Sequence, residues 1–199
     1  MLKSSHTTEL IEAGCDEVGR GCLAGPVVAA AVILPKLYTH EILNDSKQLN
    51  REERLLLTEE IQRDAIAWAI AEVSNEEIDK TNILKASFKA MHLALDQLKV
   101  KPDLLLIDGN RFQPYGETKF ECIVKGDATY LSIAAASVLA KTYRDELMLK
   151  LSQQYPGYAW ESNVGYPTEE HRDGIRNLGI TPYHRRSFQL LPSQLELFV

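Results

Sequence analysis

The sequence predicts an α/β domain whose sheet is covered on both faces, and three observations carry that prediction. Val27 to Leu34 is apolar at every position between Pro26 and Pro35, the pattern of a strand buried on both sides. Leu84, Phe88, Met91, Leu95 and Leu98 recur at helical spacing, as a helix packing one stripe on a core requires. Strand-like and helix-like segments then alternate, and two short apolar strands each deliver an aspartate at their C-terminal end.

Residues 8 to 34 read as two strands joined by a glycine-rich turn at Gly19-Arg20-Gly21. Asn50 followed by Glu53 is a capping-box start for a helix to about Asp64, and Ala65 to Val73 follows as a third strand. The stripe from Leu84 to Leu98 ends before Lys101-Pro102. Leu104 to Ile107 is a strand running into Asp108-Gly109-Asn110, and Phe120 to Val124 is one running into Lys125-Gly126-Asp127. Ala128 to Gln153 reads as one long helix whose first half, Ser132 to Ser137, is built of small residues that let a backbone lie close to a sheet. After Tyr155-Pro156-Gly157 the composition turns to Gly, Pro, Tyr, His and Arg. Residues 1–154 are therefore expected to form the core, and 155–199 a looser extension packed on it that contributes to substrate binding.

The 199 residues suffice for a substantial apolar core, and 45% hydrophobic with 25% charged residues is the balance of a globular chain. No apolar run approaches a membrane span and the first residues lack a secretory pattern, so no membrane association and a cytoplasmic location are expected. The three cysteines, Cys15, Cys22 and Cys122, form no CxxC pair and signal neither a disulfide framework nor a zinc site. A net charge of −6 argues against broad electrostatic capture of nucleic acid but leaves room for a local basic path.

Asp16 and Glu17 are adjacent acids that run straight into Gly19-Arg20-Gly21. Two hard oxygen ligands then sit beside a backbone free to approach a sugar or phosphate. With Asp108 and Asp127 they make four acids at strand ends, where the ligand crevice of an open α/β sheet lies. Converging carboxylates repel unless cations intervene, and a pair of divalent ions can activate a water and stabilise a leaving oxygen at phosphorus. The plainer alternative is that each acid is a solvated turn residue.

Taken together, Asp16-Glu17-Val18-Gly19-Arg20-Gly21, Asn44-Asp45-Ser46-Lys47, Ile107-Asp108-Gly109-Asn110, Lys125-Gly126-Asp127, Ile133-Ala134-Ala135-Ala136-Ser137, Gly165-Tyr166-Pro167 and His184-Arg185-Arg186-Ser187-Phe188 closely resemble bacterial ribonuclease HII. The resemblance runs from about residue 11 to 190. It implies a ribonuclease H-like fold, a mixed five-stranded sheet flanked by helices with a small helical C-terminal region. It further implies a monomeric endoribonuclease acting on RNA/DNA hybrids and on DNA containing single ribonucleotides, with Mn²⁺ or Mg²⁺ as cofactor. Cleavage would fall 5′ to the ribonucleotide and leave 3′-hydroxyl and 5′-phosphate ends.

By the same resemblance, Asp16, Glu17, Asp108 and Asp127 are the metal-binding catalytic acids. Gly19, Arg20 and Gly21 form the segment whose backbone senses the ribose 2′-hydroxyl, and Tyr166 packs on the following deoxyribose. Lys47, Lys125, His184 and Arg185 are candidate phosphate contacts, each with the alternative of an ordinary structural or surface role. Asp145 lies on the same face of the long helix as Asp127 but roughly 27 Å along it, so an unbroken helix removes it from the ion site. Arg144 and Asp145 then read as a structural pair. The short stretch before Asp16 disfavours the related ribonuclease HIII type.

Two readings compete: another ribonuclease H-like nuclease such as a junction resolvase, or a non-catalytic nucleic-acid binding protein. In the tail, Gln194, Leu197 and Phe198 form either a short replication-clamp peptide or an apolar segment docking on its own core. One geometric constraint remains, because neighbouring side chains on a regular strand point to opposite faces. For Asp16 and Glu17 to serve one ion pair, the strand must end or distort there, or the ions must straddle it.

Overall fold

A computed structural model describes residues 2–43 and 49–192. Lys47 and the tail residues Gln194, Leu197 and Phe198 lie outside these. The chain forms strands β1 (Glu12–Val18) and β2 (Val27–Ile33), helix α1 (Arg51–Asp64) and strand β3 (Ala67–Val73). Helices α2 (Asn75–Lys80) and α3 (Ile83–Asp96) lead to strands β4 (Leu104–Asp108) and β5 (Lys119–Ile123). A single 3-10 turn, Gly126–Ala128, precedes the long α4 (Leu131–Gln154), and α5 (Trp160–Asn163) and α6 (Glu169–Leu178) follow.

The sheet order is β3-β2-β1-β4-β5. β1 pairs antiparallel with β2 and parallel with β4, so the five-stranded sheet is mixed, as the resemblance implies. Both faces of β2 are buried, as its unbroken apolar run predicts. Val27, Ala29, Ala31 and Ile33 pack with Ala86, Ala90 and Met91 of α3, while Val28, Ala30 and Val32 pack against α1 and α4. β3 is an edge strand and alternates, with Trp68 outward and Ala67, Ala69 and Ala71 inward.

Local chemistry explains the boundaries. Asn50 and Glu53 form a reciprocal capping box at the start of α1, worth about 1 kcal/mol. The long helix begins at Leu131 and not at Ala128, because Lys125 adopts a left-handed conformation (φ 58°) that opens the 3-10 turn and throws Tyr130 back into extended backbone. The small residues at the start of α4 do press on the sheet: a Cβ on Gly14 of β1 would lie 2.3 Å from the Ser132 carbonyl carbon. Helix α2 has no counterpart in the pattern-based reading, since it is a capped helix of only six residues, under two turns, after β3. The C-terminal segment is irregular yet tightly held. Trp160, His171, His184 and Arg185 are all buried within it. Among the described residues no helix is long and apolar enough to cross a membrane.

Candidate active site at the sheet switch point

The chain passes from β1 outward through β2 to β3, then returns to the other side of β1 as β4. The sheet order therefore reverses between β1 and β4, the place where an α/β sheet opens a crevice beyond its strand ends. Pairing of β1 with β2 continues to Val18, whereas pairing with β4 stops at Cys15 opposite Ile107. The two strands part just where Asp16, Glu17 and Asp108 stand.

β1 stays regular through both acids, so they point to opposite faces. Asp16 is buried on the α4 side, hydrogen-bonded to Ser137 and to the Glu17 amide at 2.7 Å. Glu17 looks to the α3 side. There it lines a cleft of about 250 Å³ with Arg20, Asp108, Asn110 and Arg111 over Phe88 and Met91. The strand neither ends nor distorts at the acid pair, so serving one ion pair would require the ions to straddle it.

Burial, followed by the charges of Glu17 and Asp108, pushes the Asp16 carboxyl well above the usual carboxylate range. Burial also raises Glu17, with Arg20 pulling the other way. Asp108 lines the cleft with Glu17, and its charge raises both acids. The Gly126 amide donates to its Oδ1 at 2.8 Å and so sets the turn carrying buried Asp127 alongside. Among the described residues no three ligating side chains close around a common point. The donor set nonetheless suits hard divalent ions such as Mg²⁺, which take one or two carboxylates and complete their shell with water and substrate phosphate.

The loop between β1 and β2 is fixed from below by two buried arginines. Arg185 donates from Nε to Gly25 O (3.0 Å), from Nη1 to Arg20 O (3.0 Å) and from Nη2 to Pro26 O (3.1 Å). Arg144 donates to Pro26 O (3.1 Å), Val164 O (2.7 Å) and Ala24 O (3.0 Å). These carbonyls are thereby tied inward. The two glycines of the turn play different parts. Gly19 sits at φ 92° with its missing Cβ blocked by Arg144 Nε at 2.3 Å, whereas a Cβ on Gly21 would meet only Tyr166 Cε1 at 3.9 Å. The open surface of the turn is thus at Gly21, facing Tyr166.

Tyr166 is 38% exposed and held by its backbone. Trp160 Nε1 donates to His171 Nε2 (2.9 Å), so His171 carries its proton on Nδ1 and donates to the Tyr166 carbonyl (2.9 Å). His184 Nδ1 accepts from the Thr181 amide (2.8 Å), leaving its Nε2–H directed at His171 (3.2 Å). Just before the tyrosine, Val164 adopts φ 44°, a strained conformation for a β-branched residue, and the bond from Arg144 to its carbonyl helps hold it there.

Two of the four basic candidates need correction. Arg185 has no exposed surface and spends its donors on backbone carbonyls, and His184 is buried among Trp160, Tyr158 and His171. Neither reaches a phosphate; both support the loop. Lys125 is exposed beside the Asp127 turn, and Lys47 lies outside the described residues. Arg144 and Asp145 are not a pair with each other, since Asp145 binds Lys141 (2.6 Å) and Arg54 (3.1 Å). Helix α4 is unbroken, so Asp145 stands apart from Asp127. Sequence reasoning missed Ser137 as the partner of Asp16, His171 beneath Tyr166, and Arg111 at the cleft. Arg144 stands among Lys141, Thr142, Asp145 and Glu146, so its sequence context carries no signal of the cage.

The family model for Ribonuclease HII matches residues 13–191. The ribonuclease HII of Bacteroides fragilis is 63% identical over 199 residues, covering 100% of this chain and 99% of that one. That of Parabacteroides distasonis is 62% identical, covering 99% of each. Among solved structures, ribonuclease H2 from Pyrococcus horikoshii OT3 superposes with a TM-score of 0.75 at 26% identity, covering 90% of this chain and 94% of that one. At 20% identity the Mn²⁺ complex of Bst-RNase HIII shares the fold, with a TM-score of 0.68 over 93% of this chain and 69% of its own. With the acids at the switch point and the glycine turn beside them, this chain belongs to the ribonuclease HII family and is a ribonuclease H endonuclease.

Proposed function

We propose that the crevice between β1 and β4 cuts the RNA strand of RNA/DNA hybrids and incises duplex DNA on the 5′ side of a single embedded ribonucleotide. The products would be 3′-hydroxyl and 5′-phosphate ends. Asp16 on one face of β1, Glu17 on the other, Asp108 near both and Asp127 on the turn beside Asp108 are the residues to hold two Mn²⁺ or Mg²⁺ ions across the strand. Bound there, the ions would supply an activated water and neutralise charge on the leaving oxygen.

The observation that carries the reading is the set of carboxylates Asp16, Glu17 and Asp108 beside a substrate-facing turn, in which the charges of Glu17 and Asp108 raise Asp16 and that of Asp108 raises Glu17. Gly21 leaves room for a ribose, and Tyr166, across from it, offers a ring to the next sugar. Lys125 is exposed on the acid side for a phosphate, and residues from 155 onward contribute Tyr166 and its support. A clamp-binding role for Gln194, Leu197 and Phe198 is a separate proposal that rests on their sequence alone.

The test is a duplex carrying one ribonucleotide, incubated with Mg²⁺, Mn²⁺ or chelator, with product ends mapped. Incision 5′ to the ribonucleotide, lost with chelator and in Asp108→Asn, is the expected result. Equal cutting of an all-DNA duplex would reject the specificity, and undiminished Asp108→Asn activity would reject the site.

A further inference from the structure

We propose that Arg20 is a built-in competitor for the metal site: its side chain occupies Glu17 in the free enzyme and is released to a substrate phosphate when a divalent ion arrives. This inference rests on the metal-ion reading above.

Arg20 Nη1 lies 3.0 Å from Glu17 Oε1. The two partners are unequal, with the arginine side chain 52% exposed and the glutamate 10%. Buried Asp16 takes hydrogen bonds from Ser137 and the Glu17 amide, and half-buried Asp108 takes one from the Gly126 amide. Glu17 already has a positive partner, the Arg20 guanidinium. That partner stands on the cleft wall with Asp108, Asn110 and Arg111.

The anchoring of Arg20 separates its backbone from its side chain. Its carbonyl is fixed by Arg185 Nη1, and Gly19 is locked against Arg144. The peptide stays put while the long, half-exposed side chain is free to change partner. A guanidinium leaving a carboxylate finds an equivalent fork of acceptors in a phosphodiester. Two exchanges are thereby coupled: Glu17 trades an arginine for an ion, and Arg20 trades a carboxylate for a phosphate. Ion loading without nucleic acid then costs the ion pair, and loading with it does not.

Mn²⁺ binding to the free protein, followed by calorimetry without nucleic acid, reads this directly. Arg20→Gln should bind Mn²⁺ about twofold to fivefold tighter than wild type, the range of one partly exposed ion pair. The gain should vanish when Arg20→Gln is made in a Glu17→Gln background. In Ca²⁺, anisotropy with the single-ribonucleotide duplex should show Arg20→Gln binding several-fold weaker, with the salt slope reduced by about one. Mn²⁺ affinity equal to or below wild type, or a gain that survives Glu17→Gln, overturns the inference and leaves the metal reading standing. Absence of Mn²⁺ binding in wild type and variant alike overturns both.

Discussion

Two regions on either side of one loop treat charge in opposite ways. At the acid crevice, Asp16 and Glu17 stand on opposite faces of β1 near Asp108, close enough for their charges to oppose one another, and Arg20 pairs with Glu17. In the cage beneath, Arg144 and Arg185 are as deeply buried as any side chain in the protein, yet each directs three hydrogen bonds at backbone carbonyls. Both arrangements bury charge, but one completes its hydrogen bonding within the fold while the other leaves its repulsion for a ligand to relieve. A satisfied buried charge builds the scaffold; an opposed one marks where chemistry is awaited.

The contrast can be broken at four places, beginning where the effect is largest. Asp108→Asn should cost on the order of a thousandfold in cleavage rate, the several kcal/mol that a metal site contributes, while leaving the unfolding midpoint at or above wild type. Arg185→Met should do the reverse. It strips the Gly25 and Arg20 carbonyls of their donor and should cost at least ~3 kcal/mol in urea unfolding.

Within the glycine turn the same division should appear between neighbours. Gly19→Ala meets a positive φ and the Arg144 side chain, so it should lose stability. Gly21→Ala adds a methyl at ordinary contact distance from Tyr166 and should fold normally, yet cut ribonucleotide-containing duplex roughly tenfold to a hundredfold more slowly. Thermal unfolding and single-turnover rates on both variants make the comparison.

The smallest effect is a pH dependence in the support of Tyr166. Burial and neighbouring His171 lower His184 to about 4, and burial lowers His171. A histidine whose proton affinity is lowered by folding stabilises the native state above its ordinary value near 6.5. For His184 that contribution is lost as pH falls from there toward 4, at up to about 1.4 kcal/mol per pH unit, and His171 adds to it in the same direction. Urea unfolding between pH 7.5 and 4.5 should show this slope, and His184→Gln should flatten it.

Much of this was legible in the sequence. The strands and long helices announce themselves through the apolar run of β2, the α3 stripe and the Asn50–Glu53 box. The crevice is legible because its acids sit at strand ends, where sequence position dictates spatial position. The cage is not. A buried arginine has the same letter as a surface one, and its carbonyl partners at residues 20, 24 to 26 and 164 come together only through long-range packing. Hence His184 and Arg185 read as phosphate ligands, whereas their burial makes them supports. The strand geometry at Asp16 and Glu17 was foreseeable as a set of choices, and the longer pairing of β1 with β2 than with β4 decided among them.

The central claim is that the crevice holds its acids at a cost that divalent ions relieve. The raised Asp16 carboxyl makes the sign definite: its contribution favours folding at low pH, where it is neutral, and is lost as pH rises through its native value. Thermal unfolding of wild type and Asp16→Asn at neutral pH, with and without Mn²⁺, measures that cost. Without metal the variant should unfold at the higher temperature; Mn²⁺ should raise wild type and leave the variant nearly unmoved. A metal-free variant less stable than wild type, or equal stabilisation of both proteins by Mn²⁺, would contradict the account.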